Sequence, residues 1–123
     1  MHPGQACIDC HTRGVRGERG PRFTLAGTVF ASGHEPNDCN GVNGKAEGAS
    51  VEITDANGRV TRINVNAAGN FYLEQVPLAS PYTARVSYQG RTRSMVTPQT
   101  SGDCNSCHTQ SGANGAPGRI ALP

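Results

Sequence analysis

With 123 residues, no tryptophan, three tyrosines, three phenylalanines and 35% apolar residues, the chain reads as one small domain with a thin protein core. That size excludes a large enzyme core, and no segment is apolar and long enough to cross a bilayer as a helix. The formal charge of +2 is too small to make a nucleic-acid partner on its own.

Residues 1–22 form the first of three segments and carry Cys7-Ile8-Asp9-Cys10-His11. The same pattern returns near the other end as Cys104-Asn105-Ser106-Cys107-His108. Each reads C-x-x-C-H, the attachment signature of c-type haem. Two thiols add to the porphyrin vinyl groups as thioethers, and two intervening residues form one turn that presents both sulfurs to one edge of the ring. The histidine that follows then lies over the metal. A structural zinc site built from both C-x-x-C pairs is the competing reading. Zinc knuckles are usually local, whereas about ninety residues separate these pairs, and zinc gives no reason for a histidine after both.

On these two segments the chain resembles the multihaem c-type cytochromes. The resemblance implies two haem c groups per chain, held through Cys7, Cys10, Cys104 and Cys107, with His11 and His108 as proximal iron ligands. It implies an electron carrier rather than an enzyme. Four propionates would bring the formal charge of +2 to about −2, which weakens a nucleic-acid reading further. Two porphyrins would also supply apolar surface that the thin core lacks. Covalent haem attachment implies export, so an extracellular or cell-surface location is expected, with the periplasm as the alternative. No charged leader with an apolar run precedes Cys7, and the chain therefore reads as a mature form, with Met1 either an ordinary residue or a remnant of numbering.

After the first motif, Arg13, Arg16, Arg19 and Arg22 recur every third residue, interrupted by Gly14, Gly17 and Gly20. Glycine at that frequency opposes a stable helix. The stretch reads either as an extended arm whose guanidinium groups (Arg13 and Arg16 foremost) pair with propionates, or as a solvated linker.

Residues 23–98 change period to two. Phe23, Leu25, Gly27 and Val29 alternate with Thr24, Ala26 and Thr28 as a half-buried strand, and shorter runs follow around Val51, Ile63, Phe71, Val86 and Ser94. Asn57-Gly58, Gly69-Asn70, Pro77 through Pro81 and Gln89-Gly90-Arg91 separate them as turns. The fold class expected is all-β, an antiparallel β-sandwich of six to seven short strands flanked by two irregular haem-binding segments. The series Gly27-Thr28-Val29, Gly48-Ala49-Ser50-Val51, Asp55-Ala56-Asn57-Gly58, Ala68-Gly69-Asn70-Phe71 and Pro81-Tyr82-Thr83-Ala84 resembles the carboxypeptidase-regulatory or Cna-B type of transthyretin-like sandwich. Such domains are mostly stalks, spacers and assembly modules, so this resemblance implies fold rather than chemistry.

Residues 99–123 hold the second motif and a Gly-, Ala- and Pro-rich tail. Ile120 and Leu122 are expected against a porphyrin and Arg119 near a propionate; a frayed terminus is the alternative.

Once the motif histidines are assigned, only His2 and His34 remain, which matches two irons in need of sixth ligands. Met95 competes as an alternative axial ligand, since by alternation it shares a face with Arg91 and Arg93, away from the core. A third option is an open sixth site. Strands joined by reversing connections would put both haem segments at one pole and the Ser32–Gly48 loop at the other, about 30 Å away. His34 is then expected to ligate a haem of the next copy, a heterologous contact that propagates as an open filament. His2 reaches either its own haem edge or a neighbouring ring.

These expectations resemble the extracellular cytochrome nanowires: a homopolymer with haem and His34 contacts, exchanging electrons with other redox proteins or extracellular acceptors. A monomeric periplasmic or surface dihaem shuttle is the alternative, and a zinc-stabilised adhesion or wall module the third. Cys39, in the same loop as His34, reads as a small buried residue or as one half of an intermolecular disulfide. Calcium binding through Glu35, Asp38 and Asn43 matches no established spacing.

Overall fold

A computed structural model describes residues 2–13, 22–35, 48–74 and 77–123. In chain order the elements are α1 (Cys7–Arg13), β1 (Phe23–Phe30), β2 (Ser50–Thr54), β3 (Val60–Asn64), β4 (Asn70–Glu74), β5 (Thr83–Tyr88), β6 (Arg91–Ser94), α2 (Cys104–Cys107) and β7 (Ile120–Ala121). The protein is all-β and sandwich-like, with strands in the orders β4-β1-β7 and β3-β2-β5-β6. Leu25, Val29 and Phe71 of the first sheet pack against Val51, Ile53, Ile63 and Val86 of the second, all less than one-tenth exposed. The period-two pattern therefore marks the inward face as expected.

The β5–β6 hairpin turns at Gln89 and Gly90 with φ of 49° and 77°. Positive φ at both central residues is the primed turn that matches the twist of paired strands. At the outer edge β6 is exposed along its whole length and carries Arg91 and Arg93, charges that discourage edge-to-edge pairing.

Two sequence expectations are corrected at β1. Rather than half-buried, this strand is buried at every position except Thr24. The two C-x-x-C-H segments pack against it, so its second face is covered as well. Phe23 also departs from the alternation. A register shift between Phe23 and Leu25 re-aims it toward Tyr72, whose ring centroid is 4.8 Å away.

The C-terminal segment fills the free edge of β1. It enters at Gly102–Asp103, where the Ala26 N–H donates to the Gly102 carbonyl at 2.9 Å. It leaves through β7, which runs parallel to Val29–Phe30. The second motif is thus an excursion between two stretches of one edge partner. Close packing requires glycine at the entry: a Cβ on Gly102 would lie 1.9 Å from the Thr24 carbonyl oxygen. This arrangement also corrects the expectation of two opposite poles. The C-terminal segment runs alongside β1 and past its end, reaching the residues just beyond Phe30.

Candidate cofactor sites

The two motifs meet through Asn105, which lies between the cysteines of the second one and is 2% exposed. Its Nδ2 donates to the Gln5 carbonyl at 2.9 Å and to Thr28 Oγ1 at 3.0 Å, and reaches Cys7 Sγ at 3.5 Å. Its Oδ1 accepts the Thr28 N–H at 3.0 Å, replacing the backbone acceptor that a regular strand would have offered. Thr28 Oγ1 also accepts from the Gly4 N–H and donates to Asn70 Oδ1. Asp103, also buried, adds a second tie: its Oδ2 accepts the Asp9 N–H at 3.0 Å. Segments about ninety residues apart in sequence thereby become one hydrogen-bonded unit on β1.

At the second motif, Cys104, Cys107 and His108 open onto a cavity of about 400 Å³ whose walls include Val51, Ile53 and Met95. That volume lies in the range of small-molecule and cofactor sites. His108 Nδ1 lies 2.9 Å from the Gly118 carbonyl. A carbonyl only accepts, so Nδ1 carries the proton and Nε2 keeps its lone pair for a metal, the usual outer-shell arrangement of a ligating histidine. Tyr82 lines the same cavity and donates its hydroxyl to the Ser101 carbonyl at 2.5 Å; burial pushes its pKa upward.

The first motif has different surroundings. α1 packs on β1, with Cys7 half-buried and Cys10 exposed. The His11 ring is tilted against Phe23 at a centroid distance of 4.5 Å, so the bulge that re-aims Phe23 also gives this histidine its support. Burial raises the Cys7 pKa to about 11 and that of Cys104 to about 12. Both shifts run opposite to what a nucleophilic or redox-active C-x-x-C requires.

His34 lies four residues past β1, against its own C-terminal segment rather than at a remote pole. Its Nδ1 is 2.8 Å from the Gln110 carbonyl, and a Cβ on Gly118 would sit 3.1 Å from the ring. The residue is exposed, with the proton again on Nδ1. His2 is exposed near the N-terminus, its carbonyl accepting from the Gln5 N–H.

One other expectation changes. Met95 does share a face with Arg91 and Arg93, but that face is the inward one. Arg93 pairs with buried Val86, the Met95 N–H continues the ladder to the Ala84 carbonyl, and Met95 is partly buried against the core. Arg119, expected near a propionate, lines the same cavity, is 5% exposed and lies 4.7 Å from the centre of the Phe30 ring. It donates to the carbonyls of Glu35, Gly4 and His108. A guanidinium spanning three chain segments is a clamp that holds the motifs in place. Arg93, which sequence reasoning had not singled out, stands at the cavity margin with its side chain exposed. The Arg13 side chain, Arg16, Cys39, Asp38 and Asn43 lie outside the described residues.

The residues present at the second motif fit a covalently held porphyrin. Two thiols and an oriented imidazole line one apolar cavity, with a guanidinium at the margin for carboxylates. Among the described residues, no three His, Cys, Asp or Glu side chains group as metal ligands. No known protein family, curated protein or solved structure matches the chain.

Proposed function

We propose that the protein is an exported dihaem c-type cytochrome that carries electrons, polymerised into an extracellular conducting filament through ligation between subunits. The observation that supports this most is the fusion of two distant C-x-x-C-H segments into one unit by Asn105 and Asp103. Haem c, when bound, supplies one-electron exchange between ferric and ferrous iron. The chain's own residues would hold the thioether links at Cys7, Cys10, Cys104 and Cys107 and present His11 and His108 to the irons. Asn105 would fix the spacing of the two groups, and Arg119 would keep the segment that carries Gly118, and with it the His108 tautomer, in place. Partners are neighbouring copies, other redox proteins and extracellular acceptors.

For His34 the support is now different from strand topology. The residue is exposed and its Nδ1 is engaged by the Gln110 carbonyl, which leaves Nε2 as the atom that would ligate. Expression in cells that mature c-type haem tests the reading directly. A mass increase of two haems per chain and filaments in negative stain are expected. In His34→Ala, haem is expected to remain while filaments are lost. A polypeptide of unmodified mass would end the cytochrome reading, and intact filaments from His34→Ala would end ligation between subunits by this residue.

A further inference from the structure

Resting on that reading, we infer that Met95 is the sixth iron ligand of the haem at the second motif, within the same chain. The observation is positional. Met95 opens onto the same cavity as Cys104, Cys107 and His108, whereas neither His2 nor His34 lines it. All four residues of β6 are exposed and Val96 is 95% exposed, while Met95 between them is turned inward. Its N–H donates to the Ala84 carbonyl at 2.8 Å, which fixes the backbone from which the side chain enters.

The chemistry suits the place. A thioether is neutral and soft, so it ligates iron from an apolar wall without the desolvation cost of a charge. Methionine opposite histidine raises the potential of a haem relative to two histidines. The second site would then be the electron sink of the pair and the first, with an imidazole as its sixth ligand, the donor. Transfer within each subunit acquires a direction, from the N-terminal haem to the C-terminal one.

The test uses the full chain matured with haem, with haem content measured by mass on every sample. Ferric wild-type protein is expected to show the far-red sulfur-to-iron charge-transfer band, and redox titration to resolve two components. Met95→Leu should retain both haems and lose the band. Met95→His should lose the band and move the upper potential down to join the lower. Two haems without the band in wild-type protein would overturn the inference and leave Met95 as core packing. A haem-free chain under maturing conditions would overturn the cytochrome reading and, with it, this one.

Discussion

The two C-x-x-C-H segments share a pattern and almost nothing of their surroundings. The first lies on α1, with Cys10 exposed and His11 leaning on a Phe23–Tyr72 pair. The second interrupts the edge partner of β1, packs Cys104 against the core and faces a cavity of about 400 Å³. Attachment chemistry is set by five residues, but solvent access, local dielectric and the sixth ligand are set by where the fold places them. On the proposed reading, one chain would build two unlike redox centres from one motif.

The sharpest way to break this comparison is to remove one attachment pair at a time. Cys104→Ala with Cys107→Ala is expected to lose one haem and to destabilise the fold by about 3 kcal/mol or more, because an apolar cavity continuous with the core loses its filling. Cys7→Ala with Cys10→Ala should lose the other haem at roughly half that cost. Mass spectrometry and urea unfolding read both, and equal costs would refute the asymmetry.

Asn105→Ala comes next, at about 2–4 kcal/mol, since it strands the buried Thr28 N–H and frees Gln5 and Cys7 from the second motif. Unlike the cysteine pairs, it should perturb the absorption of both sites together. A disturbance confined to the second would show that the motifs are not one unit. Smaller still is Phe23→Leu, at about 1 kcal/mol, with spectral change at the first site alone.

The sandwich was legible because inward positions such as Val51, Ile53 and Val86 recur at period two between turn residues. The motifs were visible as two C-x-x-C-H spacings, and the haem chemistry read from them remains the proposal. What could not be read is how they meet. Asn105 looks like an arbitrary residue between two cysteines, and only the missing backbone acceptor at Thr28 gives it a task. A single β7 pairing of two residues places the C-terminal segment beside β1, too short for any periodic signal. That pairing carries His34 to its own C-terminal loop, where reversing connections alone had sent it to the far end. Met95 was misplaced for a different reason. Alternation does group it with Arg91 and Arg93, but two charged neighbours pointed to the outward face, whereas the register sets Arg93 beside buried Val86 and so turns that face inward.

The finest test concerns the carboxylate at the junction. Burial raises the pKa of Asp103 above its ordinary 3.8, Asp9 adds in the same direction, and amides at the start of α1 pull it back without cancelling the shift. Oδ1 has no hydrogen-bond partner among the described residues. The folded state therefore holds this proton more tightly than the unfolded chain does. Its contribution is fully present below pH 3.8 and is lost as pH rises through the raised native value. Asp103→Asn keeps an acceptor for the Asp9 N–H and removes the charge, while its amide donor takes over the unpartnered position of Oδ1. Those effects oppose one another, so stability at neutral pH should move by less than about 1 kcal/mol. The slope of stability against pH just above pH 3.8 should nevertheless flatten in urea titrations across that range. An unchanged slope would mean that Asp103 does not titrate differently in the folded and unfolded chain, and that the junction between the two motifs is held without a titrating group.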